Sequence, residues 1–201
     1  MNDDAKITLS ALEAMLVNNT EWILTKHTVM QKAGGLLAAQ VPVINKAFIE
    51  QLPGTLAALA ACKPRVFKGE RYRDLPYVIL DYPAIFSKTA VFALRTMFWW
   101  GNFISVTLHL SGEYKSLCTA ALQENLKNTP LPFFISTGKE EWEHHFGEDN
   151  YCRLSEAGER DKKIVQPSFL KIALQYDLHR WDEMNELLPV AYSNLAGILN
   201  R

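Results

Sequence analysis

The hydrophobic pattern changes period at Pro64. Before it, apolar residues recur every three or four positions, which predicts helices. Ser10-x-x-Glu13 has the form of a capping box, in a segment bearing Leu9, Leu12 and Leu16. Thr20 can cap a second helix that carries Trp22, Ile23, Val29 and Met30 and ends at Gly34-Gly35. A third, from about Leu36 to Leu52, sets Leu37, Val41, Ile44, Phe48 and Leu52 on one face. Pro42 either kinks it or marks its true start. Thr55 to Cys62 reads as a short Ala/Leu helix, stopped by Lys63-Pro64.

Beyond Pro64 the spacing turns to strands. Leu75 to Tyr82 reads as one, bounded by Pro76 and Pro83. Phe92 to Trp100 and Phe103 to Ser111 form a hairpin, with Gly101-Asn102 as a two-residue loop suited to a type II′ turn. Glu113 to Lys127 is helical, Leu131 to Ser136 a short strand, Lys139 to Phe146 a polar helix, and Gly147 to Lys163 a loop. Phe169 to Leu178 alternates, with Leu170, Ile172, Leu174, Tyr176 and Leu178 on one face and Lys171, Gln175 and Asp177 on the other. A last helix starts near Trp181 and carries Met184, Leu188, Ala191, Leu195 and Ile198, with a bend at Pro189.

No repeat or linker divides the chain. The expected architecture is a single α+β domain over residues 1–201. An antiparallel or mixed sheet of about four to five strands surrounds the central β-hairpin, covered by the N-terminal helices and a C-terminal helix. A doubly wound α/β fold is the weaker alternative, because βαβ alternation appears only in the second half.

The hairpin defines the candidate chemistry. With a two-residue loop, Trp100 sits opposite Phe103 and directly paired residues share a face. One face then holds Ala93, Arg95, Met97 and Trp99 with Ile104, Val106, Leu108 and Leu110. The other holds Leu94, Thr96, Phe98 and Trp100 with Phe103, Ser105, Thr107 and His109. Arg95 interrupts an apolar face, so it must snorkel out or meet a carboxylate, and Asp81 on the preceding strand is the nearest candidate. The functional alternative is that its planar fork binds an anionic ligand. The mixed face is either a pocket floor of aromatic and polar groups or an ordinary half-covered sheet. Tyr82, beside Asp81, could form a ligand rim or simply bridge core and water. The candidate ligand-binding set is Asp81, Tyr82, Arg95, Trp100 and His109.

Composition narrows the classes. The 21 basic and 22 acidic residues of the 201 nearly cancel, giving a net charge of −1, so the basic excess of a nucleic-acid binder is missing. Lysine and arginine are densest at Lys63–Arg73 and Arg160–Lys163, where acidic residues lie among or beside them. Val91 to Leu110 is apolar but contains Arg95, Gly101, Asn102 and His109, and it alternates, so it reads as a hairpin and not as a span. Cys62, Cys118 and Cys152 lack metal-ligand spacing, and Met1-Asn2-Asp3-Asp4 lacks the basic start of a secretory signal. These features imply a cytoplasmic protein with neither nucleic acid nor membrane as partner.

Isolated chemistry is sparse. His144-His145 offers only the pairs Glu140/His144 and Glu141/His145 on a helix, with no third ligand, and a solvated surface is the simpler reading. Asp177-x-His179 is a carboxylate-oriented base or a helix cap. Cys152 lies in a polar loop with no histidine beside it in sequence. Phosphate loops, Gly-x-Ser-x-Gly, His-Glu-x-x-His and Cys-x-x-Cys are all missing. No metal site or cofactor is assigned.

The run from Arg71 to Pro83, with Leu75-Pro76-Tyr77 and Asp81-Tyr82-Pro83, and the run from Arg95 to Gly101 resemble an uncharacterised family of bacterial proteins. The resemblance covers the central third and implies no activity, only a bacterial cytoplasmic origin. Three functional readings stand. The leading one is a non-catalytic or regulatory module for a small ligand, anionic if Arg95 meets it, or for a protein partner. The second is an enzyme with a dispersed site using Arg95, His109 and Asp81. The third is a structural protein whose apolar N-terminal helices form a homo-oligomer interface.

Overall fold

The structure is a computed structural model that describes residues 7–127, 129–156 and 168–200. The capping box forms at α1 (Ala11–Val17). The Glu13 amide donates to Ser10 Oγ at 3.3 Å and the Ser10 amide to Glu13 Oε2 at 2.7 Å. Helix α2 (Thr20–Ala39) starts one residue before expectation, with Asn19 accepting from the Trp22 amide at 3.1 Å. It also runs through Gly34-Gly35 instead of ending there. Each interior glycine costs about 1 kcal/mol against alanine. Ala33 and Leu37, both fully buried beside them, supply the packing that offsets it. Pro42 stands in the first turn of α3 (Val41–Ala47), where its missing N–H leaves nothing unsatisfied. Gly54–Ala61 is a 3₁₀ run.

Among the described residues seven strands form one sheet in the order β1-β2-β3-β4-β7-β5-β6, and every neighbouring pair is antiparallel. They are β1 (Arg65–Tyr72), β2 (Leu75–Phe86), β3 (Val91–Trp99), β4 (Phe103–Ser111), β5 (Phe134–Ser136), β6 (Tyr151–Arg153) and β7 (Phe169–Asp177). The α+β class holds, but the sheet exceeds four to five strands. The unforeseen members are the outermost ones. β1 is mostly exposed and carries Arg65, Lys68, Glu70 and Arg71, the charged signature of a protected edge rather than an apolar alternation. β6 has three residues, too few to show a period. β2 outruns its expected end at Tyr82, with Pro83 accommodated in a register shift between Asp81 and Ala84.

The central hairpin differs from expectation by one residue. Trp99, not Trp100, pairs with Phe103, so the loop is Trp100-Gly101-Asn102. Gly101 takes φ +70°, and the Asn102 amide donates to the Trp99 carbonyl at 3.1 Å. A one-residue slip exchanges the faces of one strand against the other. Leu94, Thr96 and Phe98 therefore share a face with Ile104, Val106, Leu108 and Leu110, while Arg95 shares the other with Ser105, Thr107 and His109.

The helices cover the first of these faces. Met30, Leu37, Ile44, Phe48, Leu122, Leu188 and Leu195 pack with Leu80, Phe92, Leu94, Val106 and Leu108 in the main core. Helix α4 (Gly112–Leu126) and helix α5 (Met184–Gly197) belong to this layer, and α5 tolerates Pro189 within it. No described helix is long and apolar enough to cross a membrane.

The second face is covered differently. Lys139–Phe146 is not a helix but an irregular strap with one turn at residues 141–142. Its carboxylates and imidazoles bond to groups of the sheet, which a solvated helix could not offer them. The loop expected from Gly147 instead delivers β6, and Arg160–Lys163 lies outside the described residues. Lys171, expected on a solvent face of β7, is 1 % exposed beneath this cover.

Candidate functional site

The strap is fastened by Tyr72, at the end of β1. Its hydroxyl accepts from the His144 amide at 2.6 Å and the His145 amide at 2.9 Å, and donates to Glu143 Oε2 at 2.9 Å. Burial raises its pKa to about 12, so the phenol stays a donor. Arg73, in the β1–β2 turn, adds Nε to Glu143 Oε2 at 3.2 Å and Nη2 to His145 Nε2 at 2.7 Å.

Under the strap, cross-strand pairing sets Asp81 beside Arg95 and Arg95 beside Thr107. The guanidinium clamps Asp81 through two bonds, Nε to Oδ1 at 2.7 Å and Nη2 to Oδ2 at 2.8 Å, and Nη1 reaches His144 Nε2 at 2.8 Å. The pair foreseen between Asp81 and Arg95 is thus present, and its open edge is closed by His144. The next rung brings His109 beside Lys171. Lys171 donates to the Glu143 carbonyl and lies over the rings of Tyr151 and Phe169, at 5.2 and 5.4 Å. Burial first, then Arg95, lowers its pKa to about 8.

His109 Nε2 lies 2.9 Å from Glu141 Oε1. Burial, with Lys171 and Arg95 nearby, lowers its pKa to about 3. A neutral ring has a hydrogen to give at one nitrogen, so Nε2 donates to the carboxylate and orients it. His144 is likewise held well below the ordinary histidine range, by burial and then Arg95.

Glu141 leads out of this cluster into a cavity of about 770 Å³. The walls come from the β2–β3 turn (Ser87, Lys88, Thr89), the start of α4 (Ser111, Lys115, Ser116) and the strap (Glu141, Trp142). Gly112 makes this junction. At φ +55°, a Cβ there would meet the Thr89 carbonyl oxygen at 2.1 Å, so only glycine lets the turn lie against the helix start. Ser111 occupies the N-cap of α4 without a side-chain bond to its first turn. Helix starts present free N–H groups and the positive end of the dipole. Glu113, in the same turn, is exposed.

Lys115 is the distinctive wall residue. The residue is 8 % exposed, its stem buried and its amine reaching the cavity, where among the described residues it has no hydrogen-bond or ion-pair partner. Desolvation alone lowers its pKa. It continues the buried stripe of α4, Cys118, Leu122 and Leu126, by a three-residue step. That step was visible in the sequence: a lysine at an apolar helix position is the one signal that could have singled it out.

Of the expected ligand-binding set, the fold brings Asp81, Arg95 and His109 onto one face. Tyr82 lies on the opposite face, donating to Asn45 Oδ1 at 2.6 Å within the main core. Trp100 sits in the hairpin loop, against Phe98. None of the five lines the cavity, and His109 reaches it only through Glu141. His144 and His145 turn to two different arginines, and no group of three metal-ligating side chains occurs among the described residues. Asp177 Oδ1 accepts from the His179 amide at 2.8 Å as a cap, and His179 is exposed. Cys152 faces the main core from β6. Comparison with family models, curated proteins and solved structures yields no match.

Proposed function

We propose that the protein is a cytoplasmic, non-catalytic binding module for a small anionic ligand, held in the cavity at the start of α4. The observation that carries this reading is Lys115, whose stem is buried in the apolar stripe of α4 while its amine, unpaired among the described residues, opens on the wall of a polar cavity. An ammonium held in place by its buried stem and unpaired among the described residues is a ready partner for a phosphate or carboxylate, through charge-assisted hydrogen bonds. Lys88, the Ser111 hydroxyl and the uncapped first turn of α4 add donors, while the Ser87 and Ser116 hydroxyls donate to the Ala90 and Gly112 carbonyls. Glu141, fixed by His109, is the one carboxylate on the wall among the described residues. It favours a ligand that also carries a donor group, such as an amine or hydroxyl, away from its anionic end.

A thermal-shift series with inorganic phosphate, citrate and a phosphorylated sugar tests this. At about 100 times its Kd, a ligand adds about 2.7 kcal/mol, a rise of roughly 5–10 °C at this chain length. Lys115→Met should remove that rise while leaving the ligand-free melting temperature unchanged or higher. An equal rise in both proteins would refute the reading. The enzymatic alternative, with Arg95, His109 and Asp81, is supported only by their convergence on one face. Their hydrogen bonds are spent on Asp81, His144 and Glu141.

A further inference from the structure

The N-terminal helices reach beyond the body they pack on. Helix α1 buries no residue, and α2 meets the core from Val29 onward, through Val29, Met30, Ala33, Leu36 and Leu37. With a rise of about 1.5 Å per residue, Trp22 and Leu24 stand roughly 10 Å beyond that last anchoring turn. Asn19 caps the start of α2 and the capping box fixes the start of α1, so the arm consists of two ordered helices. Lys26 joins its base to Glu70 on β1 at 2.5 Å.

What this arm presents is apolar. Leu9, Leu12, Met15, Val17, Trp22 and Leu24 are between 48 and 68 % exposed. Monomeric proteins seldom show contiguous apolar patches above a few hundred Å². Because i and i+2 lie on opposite sides of a helix, Val17 and Leu24 face away, and the face open to a second copy is carried by Leu9, Leu12, Met15, Trp22 and Ile23, with exposed surface on the order of 500 Å². We propose that the arm is a homodimer interface, packing on the same arm of a second copy about a two-fold axis.

Two features select that occupant. Area is the first: contributed by both copies, this self-complementary patch buries about 1,000 Å², the least that a biological interface needs. Charge is the second. Residues 7–25 contain Glu13 and Glu21 and no lysine or arginine, whereas helices that lie on anionic membranes are rich in basic residues. Four short helices meeting through leucine, methionine and tryptophan need no charged complement.

Light scattering on the full chain at about 100 μM, far above the Kd range of interfaces this size, tests the proposal. The expected mass is twice the 22.8 kDa chain, falling to one chain in Leu12→Glu/Ile23→Glu, which should still unfold cooperatively because neither side chain belongs to the core. A wild-type monomer would overturn it, as would a double variant that remains dimeric. Co-sedimentation of a monomeric wild type with phosphatidylcholine–phosphatidylglycerol vesicles would assign the arm to a membrane and overturn it equally.

Discussion

The two faces of the sheet are stabilised by different physics. The helical face is a continuous apolar core, where Leu80, Phe92, Leu94, Ile104 and Val106 are at most fractionally exposed. There the driving force is area removed from water, roughly 25 cal/mol per Å². The strap face buries Asp81, His109 and Lys171, with His144 half-buried beside them, and depends on their mutual satisfaction. Burial of polar groups yields little net stability, yet breaking one bond leaves an expensive remainder. One face should therefore respond to lost volume and the other to lost partnership.

The sharpest separation comes from the ion pair. Arg95→Leu leaves Asp81 buried and unpaired and should cost about 3–5 kcal/mol, while Arg95→Met/Asp81→Leu should return close to the wild type. Urea unfolding of both variants measures this. On the helical face, Leu94→Ala should cost about 2–5 kcal/mol by cavity formation, with no second substitution among polar partners that restores it. An intermediate effect is expected of Tyr72→Phe, at about 2 kcal/mol, because two amides and Glu143 lose their shared hydroxyl. Hydrogen exchange should then show faster opening at residues 143–146 than in β3 and β4.

Titration gives the smallest and most selective contrast. His109 has a folded pKa near 3, below its ordinary 6.5. The unfolded chain takes up that proton first, so this contribution is full above pH 6.5 and is lost as pH falls toward 3. Lys171, lowered from 10.5 to about 8, makes the unfolded chain bind more protons between those values, so its contribution grows as pH rises from 8 to 10.5. His109→Gln and Lys171→Met should flatten the acid and alkaline limbs respectively in melting-temperature profiles. Leu94→Ala should lower the whole profile without changing its shape.

The same contrast explains what was legible in the sequence. Periodic apolar spacing marked the helical face, including Leu37, Ile44, Phe48, Leu170, Ile172 and Leu174. The Asp81–Arg95 pair was also readable, because an arginine on a pleated apolar strand needs a carboxylate and the preceding strand offered one. The hairpin loop was not. Whether Gly101-Asn102 or Trp100-Gly101-Asn102 closes it rests on one residue, and that residue decides which face His109 shares with Arg95. The strap was unreadable for another reason. Glu140-Glu141-Trp142-Glu143-His144-His145 resembles a solvated helix unless its tertiary partners Tyr72, Arg73 and Arg95 are known.

Anion binding in Lys115→Met, set against binding in Arg95→Met/Asp81→Leu, tests the central claim most directly. Calorimetric titration with inorganic phosphate or citrate should find binding retained in the double variant and lost in Lys115→Met. Binding that survives Lys115→Met but disappears with the Arg95–Asp81 pair would move the site under the strap and contradict the account.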